Sequence, residues 1–247
     1  PTRVDTGLLR ACAAEIAAQI PDGSALVEFG SGASLKTRIL LDAAPQLAVY
    51  TPIDICAAAL HDAVTAITRD YPALCVAPLR EDFTRAMELP PEAAGRPAVG
   101  FFPGSTIGNF NSGEALRFLR VARQLLGHGA TFLIGIDLVK AQDQLIAAYD
   151  DAQGVTAAFN KNVLSRINRE LVGNFDLSAF DHRSVWNEDN SRIEMHLVSL
   201  RDQTVNVAGR QIKFVRGETI HTENACKFTL EGFEQLAAQA GWSQKQA

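Results

Sequence analysis

The sequence has little that would staple, ligate or anchor it. Its four cysteines, Cys12, Cys56, Cys75 and Cys226, are scattered through 247 residues without a C-x-x-C pair, so neither a disulfide framework nor a metal centre has support. They read as reduced, mostly buried thiols of a cytoplasmic protein. No uninterrupted apolar run is long enough to span a bilayer, and no basic-then-apolar signal opens the chain, so no membrane partner is expected. Positive charge is not in excess: the formal net charge of -5 and the pI near 5.6 give no electrostatic case for nucleic acid. Histidines His61, His128 and His182 are isolated, and although His196 and His221 could approach one another, no Ser or Asp spacing makes a triad. A hydrolase therefore lacks a nucleophile. Repeats and low-complexity segments are absent. The length suits one sizeable core, or one core with a small subdomain, and a monomer is expected. The chain begins at Pro1 without a methionine and stops at Ala247 soon after a helical pattern, which reads as a fragment.

What is present is organised around Leu26-Val-Glu-Phe-Gly-Ser-Gly-Ala-Ser34, an apolar strand running into an acid, two glycines and a helix start. Gly30 and Gly32 allow a sharp turn and close approach of a ligand to the backbone, and Ser34 is placed as N-cap of a helix over 35–43. The dinucleotide fingerprint asks for a third glycine where this chain has Leu35, and Glu28 would repel a pyrophosphate, which disfavours a nicotinamide dehydrogenase. An acid there suits a cationic ligand such as S-adenosylmethionine. Asp54 ends the next apolar run, at about the twenty-residue spacing from which a carboxylate reaches ribose hydroxyls. Two ordinary strand-end acids of an α/β protein would give the same pattern.

A helix over 6–19 precedes this loop, and strands over 25–29, 47–53 and 74–79 alternate with helices over 35–43 and 56–69. Glu28, Asp54 and Asp82-Phe83 then fall at or just past strand ends, where parallel sheets bind ligands. A buried strand over 98–102 runs into the polar turn Pro103-Gly-Ser-Thr-Ile-Gly-Asn109, and a helix over 113–126 leads to a strand over 131–137. The alternation breaks there: helices over 142–152 and 155–171 follow without a strand between them. Hairpin patterns over 182–200 and 204–215, a polar segment over 217–227 and a helix over 230–240 complete the chain. The fold class is α/β, a doubly wound Rossmann-like sheet carrying an inserted helical and β-rich subdomain. The expected division is a sheet domain over 1–139, an insertion over 140–216 and a return to the sheet domain over 217–247.

Several residues suit chemistry or plain structure equally well. Asn109 is an amide able to donate to a carboxylate and accept from an amine, or an Asn chosen for turn geometry. Tyr149 either binds a carboxylate or packs its ring and wets its hydroxyl. Glu223, in a polar loop, is either an acceptor for an imidazole or indole N–H or a solvated acid. Met195 either lines an aromatic pocket or fills core.

With these residues assembled, the chain resembles the histidine Nα-methyltransferase family of ergothioneine biosynthesis, class I S-adenosylmethionine-dependent enzymes. The resemblance is carried by Glu28-Phe-Gly-Ser-Gly-Ala-Ser-Leu-Lys-Thr-Arg38, Tyr50-Thr-Pro-Ile-Asp54, Phe102-Pro-Gly-Ser-Thr-Ile-Gly-Asn109, Asp150-Asp-Ala-Gln-Gly-Val-Thr-Ala-Ala-Phe-Asn160, Ile193-Glu-Met195 and Thr222-Glu-Asn224. It implies that Gly30, Lys36, Asp54, Asp82 and Phe83, with Glu28, Gly32 and Gly104, form the donor site. Asp54 would take the ribose, Asp82 and Phe83 the adenine, and Lys36 the donor carboxylate. It implies that Asn109 and Tyr149 are the catalytic pair holding the amine and carboxylate of an amino-acid substrate, with Glu223 and Met195 facing an imidazole. Family members commonly carry a serine where this chain has Ala225, so one imidazole contact is missing. They also have an N-terminal segment with a substrate-contacting tyrosine and a last strand after the final helix, neither of which lies in these residues. The activity implied is stepwise methylation of the histidine α-amine to the trimethylated betaine. A relative acting on another aromatic amino acid such as tryptophan, and a donor-binding protein without catalysis, remain alternatives.

Overall fold

Alternating apolar and amphipathic stretches build the first part of the chain into parallel strands covered by helices. The computed structural model describes residues 2–32 and 34–245. Its first unit contains α1 (Thr2–Ala17), β1 (Ala25–Phe29), α2 (Leu35–Ala43), β2 (Val49–Ile53), α3 (Ala57–Asp70), β3 (Cys75–Val76), β4 (Ala98–Phe102), α4 (Ser112–Leu126) and β5 (Thr131–Ile134). All five strands pair in parallel in the order β3-β2-β1-β4-β5. This is a doubly wound sheet whose strand order reverses between β1 and β4. The crevice beyond the carboxyl ends of those two strands is the place where such sheets bind ligands.

Because helices cover both faces, every residue of β1, β2 and β4 is buried. The strand period of two still sorts them. Leu26 packs with Leu40, Tyr50, Ile67 and Phe101 on one face. On the other, Phe29 meets Phe102, Phe118 and Phe132 with ring centroids 5.3–6.3 Å apart. Each such side chain contributes about 1.5–3 kcal/mol on burial. Helix α4 starts on a capping box, in which Glu114 N–H donates to Asn111 Oδ1 (2.9 Å) and Asn111 N–H to Glu114 Oε2 (2.8 Å).

The second unit, Asp137–Phe228, holds α5 (Gln142–Tyr149), α6 (Val155–Glu170), β6 (Phe180–Asn187), β7 (Arg192–Ser199), β8 (Gln203–Val207), β9 (Arg210–Phe214) and β10 (Thr219–Cys226). Its main sheet is antiparallel, in the order β10-β7-β6, and β8 and β9 form a separate hairpin. The hairpin turns on Ala208 and Gly209, both at positive φ (47° and 77°). Leu164 of α6, Phe175, Phe180, Leu197, Val205 and Phe214 form its core. Helix α7 (Leu230–Gln239) belongs to the first unit, where Trp242 just beyond it donates its indole N–H to the Leu119 carbonyl (2.9 Å).

Four expectations are corrected. The segment 217–227 is not a loop returning to the sheet domain: residues 219–226 are β10, paired with β7, and the units divide at Asp137 and Thr229 rather than at 140 and 217. Ser34 stands at the N-cap position of α2 with φ 53°, and its side chain makes no capping bond. In that left-handed conformation its hydroxyl lies 3.4 Å from the Ser31 carbonyl instead. The expected strand over 74–79 pairs only through Cys75–Val76, with a single further bridge from Leu79 to Ile53. Finally, the first helix begins at Thr2 rather than at Thr6.

Candidate functional site

In the first unit the expected donor residues gather around the β1 and β4 carboxyl ends, with one exception. Gly30 follows β1 with φ 79°, and its amide donates to the Ile53 carbonyl (2.8 Å). A Cβ on Gly30 would lie 3.6 Å from the Phe83 ring, so Phe83 sits over this turn. Its ring also packs on Phe29, Phe102 and Phe118, which leaves it half-buried with a fixed edge. Gly104 follows β4 with φ 83°, and a Cβ there would meet Lys36 Nζ at 2.7 Å. Lys36 thus reaches from the first turn of α2 to the β4 loop. Its ammonium pairs with Asp5 of α1, a partner that a donor carboxylate would share or displace. Gly32, also at positive φ (45°), has nothing within 4 Å of a would-be Cβ.

Asp54 follows β2 and accepts from the Cys56 amide through Oδ1 (2.8 Å), leaving Oδ2 without a partner among the described residues. Asp82 is more committed. Its Oδ1 accepts from the Thr84 amide and hydroxyl (3.0 and 2.6 Å), its Oδ2 pairs with Arg85 (3.2 Å), and the Thr84 bonds hold it below the usual carboxylate range.

Glu28 is the exception. It is 2% exposed, on the same face of β1 as Leu26, and both its oxygens accept from the Thr37 hydroxyl of α2 (2.8 Å each). The Tyr50 hydroxyl also donates to it. Burial pushes its pKa up to about 7 against the opposing hydrogen bonds of Tyr50 and Thr37. Burial and the Glu28 charge likewise drive the Tyr50 phenol upward. The strand period turns this acid inward beneath α2, so it supports the loop from below rather than presenting its carboxylate to a ligand. Thr37 and Tyr50 are the partners that sequence reasoning missed.

Asn109 ends a 3₁₀ turn over Thr106–Asn109 and is exposed. With Thr84, Phe110, Glu114, Arg117 and Phe118 it lines a cavity of about 320 Å³. A second hollow, of about 520 Å³, lies between the 87–96 loop and the end of α4 and contains no expected site residue.

In the second unit, register brings the expected substrate residues to one sheet face. Glu223 pairs with Met195 and Ala225 with Ile193, while the ladder is irregular between His221 and Glu223. The extra residue, Thr222, donates its hydroxyl to the Met195 carbonyl (2.9 Å). This bulge puts His221 and Glu223 on opposite faces, so Met195, Glu223 and Ala225 share one. Helix α5 covers that face: Leu145, Ile193, Met195 and Ala225 are buried together, with Tyr149 and Trp186 packed against them. Glu223 is half-buried, burial raises its pKa, and no described residue hydrogen-bonds its carboxylate. An apolar face carrying an acid with no hydrogen-bond donor among the described residues suits contact with a flat, partly polar ring carrying an N–H.

Tyr149 is held at three points. Its carbonyl accepts from His182 Nε2 (2.8 Å) and Ser184 Oγ (2.9 Å), and its phenol oxygen accepts from Lys227 Nζ (2.8 Å). His182 Nδ1 in turn accepts from the Asn160 amide (2.9 Å). No local pattern marks Lys227 in the sequence, because its partner is 78 residues away.

On the opposite face, the rings of His196 and His221 stack with centroids 4.7 Å apart, and with Glu194 they offer ligand atoms within 4.8 Å of one another. Although burial opposes it, bonds from Arg192, Asn187 and His196 hold Glu194 at about 2. Its Oε1 is taken by Arg192 (2.9 and 2.6 Å) and Asn187 (2.8 Å), so the acid is already neutralised by a guanidinium.

Comparison with known proteins follows the same lines. A histidine N-alpha-methyltransferase of Mycolicibacterium smegmatis is 43% identical over 99% of this chain and 77% of its own length. One from Mycobacterium tuberculosis is 41% identical over 98% of this chain and 76% of its own. Ergothioneine biosynthesis protein 1 of Neurospora crassa is 29% identical over 98% of this chain, which spans 28% of that longer protein. No helix is long and apolar enough to cross a membrane among the described residues. The family model described as histidine-specific, SAM-dependent methyltransferase matches residues 1–247, and the chain belongs to that family.

Proposed function

We propose that the protein methylates the α-amino group of L-histidine three times, giving trimethylhistidine, the entry step to ergothioneine. The observation that carries this reading is the sheet face of the second unit on which Glu223, with no hydrogen-bond donor among the described residues, stands with Met195 and Ala225, the cluster against which Tyr149 packs. S-adenosylmethionine fits the first unit: two positive-φ glycines open the backbone at the strand reversal, Asp54 Oδ2 is free for ribose hydroxyls, and Lys36 stands over Gly104. When bound, it supplies an electrophilic methyl carbon on a sulfonium.

The residues are assigned as follows. Gly30, Gly32 and Gly104 shape the donor loop, Asp54 binds the ribose, Phe83 and Asp82 the adenine side, and Lys36 the carboxylate. Glu28 supports that loop from within. Asn109 accepts from the substrate amine, which orients its lone pair, and Tyr149 donates to the substrate carboxylate. Glu223 accepts from the imidazole N–H, and Met195 and Ala225 shape the ring pocket. In each transfer the neutral amine nitrogen would bond the methyl carbon as the carbon–sulfur bond breaks and the sulfur keeps the electron pair; after the first and second transfers the surplus N–H proton passes to solvent, and the third leaves a quaternary ammonium with no proton to lose. Aligning the reactants and excluding water supply most of the acceleration. The partner is thus a small amino acid. Four free cysteines suit a reducing compartment such as the cytoplasm, and the acidic chain is assigned no nucleic acid and a monomeric state.

A second reading is favoured by Ala225, which offers no hydroxyl to an imidazole: a bulkier aromatic amino acid such as tryptophan. Incubating the full-length protein with S-adenosylmethionine and a pool of free amino acids, followed by mass spectrometry, separates them. Histidine gaining one, two and three methyl groups is the expected result. Methylated tryptophan, or no product, overturns the histidine assignment.

A further inference from the structure

We propose that Lys227 is a positioning residue for recognition of the substrate carboxylate. It occupies the acceptor side of the Tyr149 phenol and so commits that phenol's single proton to a ligand anion. The inference rests on Tyr149 being a substrate contact, as assigned above.

Lys227 is 4% exposed at the end of β10, and a lysine so deeply buried is kept only with partners. It has two. Its Nζ lies 3.1 Å from Asp137 Oδ2 and 2.8 Å from the Tyr149 phenol oxygen, 4.6 Å from the centre of the ring. Asp137 is itself shared with Lys140 (2.5 Å), and although burial opposes it, the two ammoniums hold its carboxyl below the usual range. Asp137 thus answers the Lys227 charge only in part, and the Tyr149 phenol oxygen takes another of its three donors.

Direction follows from chemistry. An ammonium has donors only, whereas a phenol has one proton and an acceptor oxygen. Lys227 must donate and Tyr149 must accept, so the O–H points elsewhere. No described residue takes that proton. The rest of Tyr149 is held: its carbonyl is clamped by His182 and Ser184, and its side chain packs against the cluster of Leu145, Ile193, Met195 and Ala225. The hydroxyl rotor is the remaining freedom, and Lys227 fixes it. A phenol polarised by a buried cation is a stronger donor, suited to an anionic acceptor.

The test compares histidine with histamine, which has the same ring and amine but no carboxylate. Kinetics are measured for the wild type, Lys227→Met, Tyr149→Phe and the double variant. Lys227→Met is expected to raise KM for histidine about tenfold, with kcat changed little and histamine turnover unchanged. Tyr149→Phe, which removes the carboxylate contact itself, should lose at least as much on histidine, and the double variant should be no worse than Tyr149→Phe alone. Equal losses on both substrates, or losses that add in the double variant, would overturn the proposal. If Lys227→Met does not fold, the pair Lys227→Met with Asp137→Asn removes the donor and leaves no unpaired acid. The same selective loss on histidine is expected of it, and an unchanged histidine-to-histamine ratio overturns the proposal. A wild type that binds neither compound overturns the histidine reading and this inference together. Histidine bound by the wild type, with the ratio unmoved in the variants, sinks this inference alone.

Discussion

Each unit draws a glutamate at least half out of water, Glu28 fully and Glu223 in part, and the two are treated oppositely. Glu28 in the parallel sheet is met by the Thr37 and Tyr50 hydroxyls, whereas Glu223 in the antiparallel sheet meets no hydrogen-bond donor among the described residues. Burial raises both pKa values. A buried acid with its bonds made is part of the framework; one without them carries a desolvation cost that a ligand N–H can relieve. Supporting the loop therefore falls to the first and recognising the substrate to the second.

The largest expected effect breaks the first half of this contrast. Glu28 ionises at about 7 in the folded chain and near 4.5 when unfolded, so the folded state holds a proton between those values that the unfolded state has lost. Wild-type stability should fall as pH rises across that window, by about 3 kcal/mol, and then level off. Glu28→Gln keeps acceptor and shape but cannot titrate, so urea denaturation at pH 5 and pH 7.5 should show the slope flattened. A variant with the wild-type slope would show that another group titrates.

Next in size is Asn109→Ala. Turnover should drop about a hundredfold because the amine is no longer oriented, while donor affinity, read by calorimetry, stays close to wild type. Loss of donor binding as well would move Asn109 out of the substrate site and into the donor loop. Glu223→Gln sharpens the second half of the contrast. It keeps the volume and removes the charge that an imidazole N–H prefers, so histidine affinity should weaken about tenfold. Because framework contacts are not involved, its melting temperature should hold or rise, which is the opposite of what removing a structural acid does.

The same contrast explains what could be read from the sequence. The sheet was legible because β1, β2 and β4 are covered on both sides and appear as short apolar runs between helical periods. That double burial also hid Glu28. With all five positions of β1 inside, nothing in the run says that residue 28 turns beneath α2 instead of toward the loop. In the antiparallel unit β10 was read as a loop because Thr-Ile-His-Thr-Glu-Asn is polar, and its pairing depends on β7 and on a bulge at Thr222. Lys227 was invisible for a similar reason, since a buried cation is intelligible only beside Tyr149 and Asp137. The positive φ of Ser34 is likewise fixed by the turn before it, where a serine next to a helix ordinarily signals a cap.

The smallest effect is the most informative about substrate. Ala225 is 6% exposed beside Met195, on the face it shares with Glu223. Ala225→Ser adds one hydroxyl there. If the ring bound is an imidazole, that hydroxyl gains a nitrogen partner, and histidine affinity should improve by about 0.5–1.5 kcal/mol, roughly twofold to twelvefold. If the ring is an indole, its only N–H can serve Glu223 or the new hydroxyl but not both. The added oxygen then enters an apolar contact without a partner, so tryptophan should bind more weakly than to the wild type. The opposite signs separate the two substrates even where the absolute changes are small. Titrating wild type and Ala225→Ser with both amino acids in the presence of S-adenosylhomocysteine reads that difference directly. Weaker tryptophan and unchanged histidine would place the indole, rather than the imidazole, against Glu223.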